Sequence, residues 1–425
     1  MGILTMSKKS YRIFFFFLWV FILIPSVLAH AGQEEGPGTL YAHSAVLMDA
    51  SSGRVLYEKN GQEFLANAST TKILTCILAL EEGKLEDLVS VSAYAASMPD
   101  VQLNIREGEY YLLEDLLYSL MLESHNDSAV AIAEHIAGSC QAFSQKMNEK
   151  ARQIGCKDSW FITPNGLDAS QTLTLTTGGT VTKEHGTTAK ELALIMRYCL
   201  EESPAVEEFL KITRTSNYSF CNKILSEKGE VSDGARSFSC QNHNSFLQMM
   251  EGALSGKTGF TSKAGYCYIG ALKQDERTYI VALLACGWPG NRTYKWKDTR
   301  QLMEYGLDTF ELHSVEELEL NWEEILLSPV EEGQGEKIGE EIFIHLERSS
   351  DEEIPEVLLK AEEKLTAKVE KKPLTAPIKR GEKAGEISYY INEEKWKSES
   401  LNAGQSVSKI DPVWCLKCCF DLLWM

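Results

Sequence analysis

The chain has 425 residues and a formal net charge of −19, so it is long enough for two domains. Its side chains are 44% hydrophobic and 24% charged, which is the composition of an ordinary globular protein with a substantial core. The acidic excess argues against a nucleic-acid partner, because it would be repelled by a phosphate backbone.

The first 31 residues have the organisation of an export signal. Lys8, Lys9 and Arg12 precede an apolar run over 13–28, and Ala29-His30-Ala31 then gives the small-x-small pattern of a signal-peptidase site. The run is short for a membrane span, which needs about 20 residues, although an uncleaved anchor is the alternative. We therefore predict a signal peptide over 1–31 and a mature protein that works outside the cytoplasmic membrane.

The cysteines do not form a recognisable framework. There are eleven, an odd number, and most fall in apolar patterns where cysteine acts as a small hydrophobe. Cys415, Cys418 and Cys419 have a Cys-x-x-Cys spacing, but no second pair or histidine cluster accompanies them, which argues against zinc. Free thiols, with no metal and no cofactor, are the expectation.

Hydrophobic periodicity predicts an α/β domain over 41–310. A β-hairpin is expected over 44–58 around Ser51-Ser52-Gly53, and a turn at Gln274-Asp275-Glu276 should join strands over 256–287. Helices are expected over 69–82, within 112–155, and over 190–201 and 296–310. Strands at both ends with helices between them predict one sheet built from distant segments, with a helical insert.

The composition changes after residue 310. Residues 311–400 hold 24 acidic and 12 basic side chains, and short alternating runs such as "GEISYYIN" predict a small β-rich, sandwich-like domain over 311–405. Within the tail at 406–425, the last thirteen residues are apolar except for Lys417 and Asp421. As a helix this segment is too short to span a bilayer; it could lie in the membrane interface or pack on its own protein.

The clearest candidate for chemistry is the stretch "ANASTTKILT" at 66–75. Ser69 and Lys72 are three residues apart, so on a helix the hydroxyl and the amine share one face. The structural alternative is a helix cap followed by a surface charge. A second Ser-x-x-Lys at Ser406 and Lys409 shows how easily the pattern arises by chance.

Two further patches accompany this stretch. Ser124-His125-Asn126 lies just before a predicted helix, and Lys257-Thr258-Gly259 lies on a predicted strand. Each is weak by itself, since serine and asparagine are common cap and turn residues. Together and in this order, Ser-x-x-Lys, Ser-x-Asn and Lys-Thr-Gly are the motif set of penicillin-binding proteins and class A β-lactamases.

The chain resembles the low-molecular-mass penicillin-binding proteins, the serine-type D-alanyl-D-alanine carboxypeptidases. The similarity extends through "VQLNIREGEYYLLEDLLYSLMLESHNDSAVAIAEHIAG", "FITPNGLD" and "GKTGFTSKAGYC", and "TAPIKRGEKAGEI" resembles the β-rich C-terminal domain that many of them carry. The resemblance covers roughly 41–400. It implies removal of the terminal D-alanine from peptidoglycan stem peptides through an acyl-enzyme, acylation by β-lactams, and a location at the cell wall.

The resemblance also implies roles for individual residues. Ser69 is the expected nucleophile, Lys72 the general base and Ser124 the proton relay to the departing amine. The remaining motif residues are expected to bind substrate: Asn126, Lys257, Thr258, Gly259 and Phe260, the last supplying its backbone N–H to an oxyanion hole shared with Ser69.

Two features depart from the family pattern or leave it incomplete. His125 stands where a small residue is common, and we expect it to point towards the cleft entrance. There it could alter substrate preference or add a titrating group, or it could be a harmless loop variation. The family also has a downstream cation that binds the substrate carboxylate. Arg292, Lys295 and Lys297 are the candidates for that cation.

Two other functions fit parts of the pattern. A class A β-lactamase has a Glu-x-x-Leu-Asn segment that activates water for deacylation, and "FITPNGLDASQTL" contains no glutamate. A non-catalytic wall-binding protein would use the β-rich domain and the C-terminal tail, which is also a candidate membrane-surface contact. The presence of Ser69, Lys72 and Lys257 favours the enzyme.

Overall fold

A five-stranded antiparallel sheet organises the first part of the chain. A computed structural model describes residues 36–174, 176, 178–349 and 354–423, so the predicted signal peptide lies outside the described residues. Residues from Tyr41 onward belong to one compact unit. The sheet has the order β2-β1-β11-β10-β9, and its strands are β1 (Ser44–Asp49), β2 (Val55–Lys59), β9 (Ala253–Thr261), β10 (Gly265–Gln274) and β11 (Arg277–Leu284).

The sheet confirms the prediction that distant segments would pair. β1 lies antiparallel to β11, with Ser44 opposite Leu284, although more than two hundred residues separate them. The predicted hairpin at 44–58 is present as the β1–β2 pair. Asp275 and Glu276 form the turn between β10 and β11 with positive φ angles of 51° and 62°.

Helices occupy the long connection between β2 and β9. They are α1 (Lys72–Glu82), α2 (Ala93–Ala96), α3 (Leu113–Tyr118), α4 (Asn126–Ala137), α5 (Cys140–Ile154), α6 (Ala189–Arg197) and α7 (Val206–Arg214), and α8 (Tyr294–Thr309) follows the sheet. α1 is the central one, since every residue from Lys72 to Ala79 is buried. This arrangement confirms the predicted helical insert.

The insert also contains strands that the periodicity did not predict. A four-stranded sheet has the order β3-β4-β7-β8, built from β3 (Leu88–Ser90), β4 (Tyr110–Leu112), β7 (Asn217–Leu225) and β8 (Val231–Gln241). A separate hairpin joins β5 (Ser170–Thr174) to β6 (Thr180–Glu184). The outward face of that hairpin is rich in threonine, with Thr172, Thr174, Thr180 and Thr182 all exposed.

The C-terminal part is β-rich, as predicted. A six-stranded sheet has the order β16-β18-β19-β14-β13-β17, from β13 (Leu327–Glu331), β14 (Ile342–Arg348), β16 (Leu365–Lys371), β17 (Leu374–Thr375), β18 (Lys383–Ile391) and β19 (Glu394–Ala403). A short helix, α9 (Trp322–Ile325), precedes it. Ile344, Leu346, Ile387 and Leu401 are fully buried in the core of this part.

Contacts tie the two parts together. β12 (Phe310–His313) pairs with β15 (Val357–Lys360), so one strand crosses the predicted boundary at 310, and that boundary stays a prediction. The Arg54 guanidinium forms an ion pair with Glu363 and donates to the Leu358 carbonyl at 2.6 Å. These contacts therefore hold the first part of the chain against the β-rich part.

The last described element is a short helix, α10 (Pro412–Leu423). The Trp414 indole N–H donates to the Gly335 carbonyl at 3.2 Å, and Cys418 is buried. Val413, Leu416 and Phe420 face away from the protein with 76%, 60% and 62% of their surface exposed. One side of the tail thus packs on the protein, as one of the two alternatives predicted, and none of the helices described here is long and apolar enough to cross a membrane.

Candidate active site

Ser69 lies on a 3₁₀ turn, Ala68–Thr71, immediately before α1. The turn begins at Ala68, whose φ angle of 49° is unusual for a residue with a Cβ atom. The loop carrying Gly166 closes over it, since a Cβ at Gly166 would lie 2.0 Å from the Ala68 carbonyl oxygen. A residue with a Cβ atom could not come this close to Ala68, so glycine is required where the loop packs against the 3₁₀ turn.

The Lys72 amine makes the hydrogen bonds that connect the residues of the first two motifs. Its Nζ atom lies 3.0 Å from Ser69 Oγ, 3.2 Å from Ser124 Oγ, 2.8 Å from the Ser124 carbonyl and 2.8 Å from Asn126 Oδ1. The side chain is fully buried. Burial, reinforced by the positive charge of Lys257, holds the pKa of Lys72 well below its usual value, because a charged amine would lose its hydration.

Ser124 lies where a helix is interrupted. A π-helical turn, Ser119–Glu123, ends at Ser124 with a left-handed φ angle of 68°, and α4 starts two residues later. The interruption brings Ser124 Oγ and Asn126 to the same amine. Asn126 is fixed from its other end, since Nδ2 donates to the Pro99 and Asp100 carbonyls at 3.1 Å each.

Edge strand β9 supplies the opposite wall. Lys257 is buried, and burial lowers its pKa to about 7. A Cβ at Gly259 would lie 2.9 Å from Ser69 N and 3.0 Å from Thr70 N, so this strand runs directly against the 3₁₀ turn. Thr258 and Phe260 flank that contact on the same strand, and Phe260 is 40% exposed.

The three motifs therefore meet in one place. The lysine amine hydrogen-bonds to both serines and to the asparagine, and Gly259 of the third motif lies against the backbone of the 3₁₀ turn. The second Ser-x-x-Lys pattern does not form a comparable pair: Lys409 Nζ lies 2.7 Å from Glu332, and Ser406 Oγ accepts a hydrogen bond from the Arg380 amide.

Comparison with known proteins agrees with this arrangement. The family model described as D-alanyl-D-alanine carboxypeptidase matches residues 30–286. The chain belongs to this family. A second model, the C-terminal domain of penicillin-binding protein 5, matches residues 355–409.

Individual relatives give the same assignment. The chain is 30% identical to D-alanyl-D-alanine carboxypeptidase DacF of Bacillus subtilis over 355 residues, covering 81% of this chain and 80% of that protein. It is 26% identical to DacC of Escherichia coli over 414 residues, covering 92% and 90%. The crystal structure of penicillin-binding protein 5 from Haemophilus influenzae superposes with a TM-score of 0.64 at 23% identity, covering 88% and 99%, which confirms the fold.

The prediction that His125 points towards the cleft entrance is wrong. The side chain is 8% exposed, and its Nδ1 lies 2.8 Å from Ser119 Oγ rather than at the cleft entrance. Ser119 Oγ lies in turn 2.7 Å from Ser128 Oγ. Burial lowers the pKa of His125, so it is a neutral packing residue below the Ser124 turn.

The three candidate cations differ in position. Lys295 is buried, and its Nζ lies 4.7 Å from the Tyr266 ring centroid, while that ring packs 4.7 Å from Phe260. Lys297 instead lies over the rings of Tyr41 and Tyr294. Arg292 is exposed and offers its carbonyl to Lys295 at 2.7 Å. Lys295 is therefore one side-chain layer from Phe260.

His185 is a supporting residue that the sequence reasoning missed. The Ile162 and Thr163 amides both point at His185 Nδ1, at 2.9 and 3.3 Å, so the proton lies on Nε2, which is 2.9 Å from Thr71 Oγ1. Burial lowers the pKa of His185 to about 3. The neutral ring thus fastens the loop after Phe161 to the 3₁₀ turn of the nucleophile, a link between segments too distant in sequence for a motif to reveal.

The sequence reasoning also missed a side-chain contact between Glu123 and His243, next to Ser124. Glu123 Oε2 lies 2.6 Å from His243 Nε2 and stands immediately before Ser124, while the His243 amide donates to the Leu122 carbonyl at 3.3 Å. The pair connects the Ser124 turn to the segment that leads into β9. No motif marks it, because the residues meet only through the fold.

Proposed function

We propose that this chain is a serine-type D-Ala-D-Ala carboxypeptidase that cleaves through an acyl-enzyme on Ser69 and is acylated there by β-lactams. The observation that carries the proposal is the buried Lys72 amine, 3.0 Å from Ser69 Oγ, with a pKa held well below its usual value. A neutral lysine in contact with a serine hydroxyl is a competent general base.

The first step forms the acyl-enzyme. Ser69 Oγ attacks the carbonyl carbon of the penultimate D-alanine while its proton moves to neutral Lys72 Nζ. The carbonyl oxygen becomes an oxyanion between the backbone N–H groups of Ser69 and Phe260. Donors at that position stabilise the charge as it develops, which is where such donors contribute most.

The tetrahedral intermediate then releases D-alanine. The carbon–nitrogen bond breaks, and the nitrogen takes a proton that passes from Lys72 through Ser124 Oγ, 3.2 Å away. Lys257 and Thr258 bind the carboxylate of the departing residue, and Lys295, whose amine lies over the Tyr266 ring beside Phe260, is the additional cation. Asn126 Nδ2 binds the peptide carbonyl on the acyl side after exchanging its present backbone partners.

Water completes the cycle. It attacks the ester carbon, gives a proton to Lys72, and the bond to Ser69 Oγ breaks as that oxygen regains a proton. No glutamate is needed for this route. Glu184, the glutamate within 160–185, lies 2.7 Å from Lys263 and is exposed, so the position of its carboxylate does not favour the class A β-lactamase alternative.

Release of D-alanine tests the proposal. A soluble peptide ending in D-Ala-D-Ala should lose one residue in the presence of the full chain, and Ser69→Ala should abolish the release while leaving thermal unfolding unchanged. Rapid multiple turnover of penicillin with little D-alanine release would instead identify a β-lactamase.

Export and membrane contact are finer parts of the proposal. The substrate is a cell-wall polymer, so the segment 1–31 is proposed as a signal peptide that delivers the chain to the outer face of the cytoplasmic membrane. The tail helix is proposed to lie in the membrane surface through Val413, Leu416 and Phe420, which occupy its exposed face. The preceding domain is acidic, so the attachment must depend on apolar burial rather than charge.

The exposed face allows a test that keeps the fold intact. Replacing Val413, Leu416 and Phe420 with serine should prevent binding to phosphatidylglycerol–phosphatidylethanolamine vesicles, and the natural chain should stay bound at high salt. The matched control replaces exposed Ile224, Leu225 and Val231 on the β7–β8 hairpin, and it should retain binding. Unchanged binding by the tail variant would contradict the proposed contact.

A further inference from the structure

Aromatic rings continue from the candidate active site onto the neighbouring surface. Phe260 on β9 packs with its ring centroid 4.7 Å from that of Tyr266, and the Tyr266 amide donates to the Gly287 carbonyl at 2.9 Å. Trp288, the next residue along the chain, is 45% exposed. A Cβ at Gly287 would lie 3.2 Å from the Tyr294 ring, so Tyr294 adjoins the same loop.

The outer rings are held in fixed positions. The Trp288 indole N–H donates to the carbonyl of Ser262, in the turn that follows β9, at 3.0 Å. Tyr41 is exposed and stacks on Tyr294 with ring centroids 3.7 Å apart. Side chains that are already ordered lose little conformational entropy when a ligand packs on them. The aromatic surface, as we name it, consists of Phe260, Trp288, Tyr294 and Tyr41.

Strand β9 relates this surface to the proposed path of the substrate. β9 is an edge strand of its sheet. Along it, Lys257 and Thr258, proposed to bind the terminal carboxylate, come before Phe260, proposed to bind the oxyanion. The acyl part of a substrate lying along β9 therefore extends towards Ser262, to which Trp288 is hydrogen-bonded. The four acyl-side residues of a pentapeptide stem span at most about 14 Å, which brings the polymer that carries the stem next to the aromatic surface.

The aromatic surface suits the sugar rings of that polymer. The C–H groups on one face of a pyranose ring are apolar, and they pack favourably on the electron-rich face of an aromatic ring. Exposed apolar patches on soluble proteins commonly mark interaction sites. A rigid tryptophan on the line of the substrate is therefore a platform on which one sugar ring can lie.

Charge is a smaller part of this surface than the rings are. Residues 285–297 contain three basic and no acidic side chains. Lys295 is buried, and Lys297 lies over the rings of Tyr41 and Tyr294 at 5.7 and 5.8 Å. Arg292 is exposed, and its guanidinium can donate hydrogen bonds to the carbonyl of an N-acetyl group. This balance favours a neutral sugar chain over an anionic polymer.

We propose that the aromatic surface binds the N-acetylated sugar chain that carries the stem peptide, with one sugar ring packed on Trp288. This inference rests on the proposed function, because it assigns a binding surface to a second part of the same substrate. Trp288 and Tyr41 lie outside the groups proposed to react, so the sugar can bind without acyl transfer.

Two substrates with the same stem measure the contribution of the sugar. In the natural chain, kcat/KM should be about tenfold higher for a disaccharide-pentapeptide than for the free pentapeptide, because on the order of 50 Å² of apolar surface leaves water. Trp288→Ala should reduce this ratio to near one. Trp288→Phe should keep the ratio above about threefold, because a ring remains at the position. Phe343→Ala is the matched control: Phe343 is 46% exposed on β14, in the β-rich part, and its loss should leave the ratio of the natural chain.

A sugar without a peptide tests the surface independently of catalysis. A β-linked tetramer of N-acetylglucosamine should bind to the Ser69→Ala chain in isothermal calorimetry. The additional change Trp288→Ala should weaken that binding about tenfold, the same loss of apolar contact. The affinity should be equal at low and high salt, because packing of a neutral sugar on a ring is not screened.

The outcomes separate the inference from the proposed function. Equal kcat/KM values for the two substrates in the natural chain, a ratio that survives in Trp288→Ala, or a Trp288→Phe ratio as low as that of Trp288→Ala would overturn the inference. Release of D-alanine from the free pentapeptide would still support the proposed function in each case.

A charged polymer is the competing ligand. Binding of poly(glycerol phosphate) in preference to the sugar tetramer, with loss of that binding at high salt, would assign the surface to an anionic polymer and overturn the inference as well. Failure to release D-alanine from either substrate would contradict the proposed function, whereas the tetramer would still report on the aromatic surface.

Discussion

Replacing Gly259 with alanine should disable the site without unfolding the protein. The added Cβ would lie 2.9 Å from Ser69 N and 3.0 Å from both Asn67 O and Thr70 N, all of them backbone atoms. Relief to an ordinary contact requires the strand and the 3₁₀ turn to separate by roughly 0.5 Å, because a packed interior does not absorb such an overlap elsewhere.

The size of the effect follows from which atoms move. A displacement of about 1 Å near the reacting atoms costs roughly 10²-fold, and loss of one oxyanion donor costs about 10²- to 10³-fold. Ser69 N is both a contact atom and a proposed donor, so we expect Gly259→Ala to slow acylation by about 10²-fold, equivalent to ~2.7 kcal/mol.

A fluorescent penicillin measures this rate directly. Its second-order acylation rate constant should fall in Gly259→Ala while the thermal unfolding midpoint changes little. Gly138→Ala is the control: Gly138 ends α4 with a φ angle of 76°, and no atom lies within 4 Å of an added Cβ. It should lose about 1 kcal/mol of stability and keep its acylation rate. A Gly259→Ala rate within threefold of the natural chain would refute the proposed contact between strand and turn.

Further outcomes test the base, its electrostatics and the supporting histidine. Lys72→Ala should slow acylation by about 10²-fold or more in the same assay, and an unchanged rate would require another base. Removing the neighbouring cation with Lys257→Gln should raise the pKa of Lys72, so the acid limb of the pH–rate profile should move to higher pH; a limb that stays in place contradicts the coupling. The pKa of His185 is about 3 in the folded chain and near 6.5 when unfolded, so its contribution to stability is present above pH 6.5 and is lost as the pH falls towards 3. Chemical denaturation should detect a loss of about 2 kcal/mol between pH 7 and pH 5, and this part should be absent in His185→Asn. D-alanine release should be undiminished by EDTA, whereas a loss that zinc restores would contradict the serine mechanism.

The elements with a strong apolar period could be predicted from the sequence. The β1–β2 hairpin, α1 and the strands around Lys257 all have one face or a continuous run that must be buried. The residue at which α1 begins could not be predicted in the same way. The helix begins at Lys72 rather than Ser69, because residues 68–71 form a 3₁₀ turn that starts at Ala68 with a positive φ angle and lies against Gly166.

Strands with little apolar character could not be predicted. β5 and β6 expose a row of threonines, so their alternation does not separate a core face from a solvent face. The β7–β8 hairpin extends far enough that Ile224, Leu225 and Val231 near its tip are exposed, which removes the usual signal of burial. Pairing between the strands, rather than a buried face, defines the β5–β6 hairpin, whereas the β7–β8 hairpin also buries Phe220 and Cys240 in the core.

Side-chain directions at the site depended on long-range contacts. His125 was expected at the cleft entrance because it adjoins Ser124, yet the left-handed backbone at Ser124 turns the following residue inward to Ser119. Lys295 and Lys297 are two residues apart on α8 and meet different aromatic rings. From the sequence alone, both lysines were equal candidates for the carboxylate-binding cation, and only the packing of Tyr266 distinguishes them.

The most direct test of the central claim is to locate the penicillin adduct. After incubation of the full chain with benzylpenicillin, intact mass spectrometry should detect one acyl group per chain, and peptide mapping should place it on Ser69. Lys72→Ala should form that adduct far more slowly. An adduct on Ser124 or Ser406, or no covalent adduct at all, would contradict the assignment of Ser69 as the nucleophile activated by Lys72.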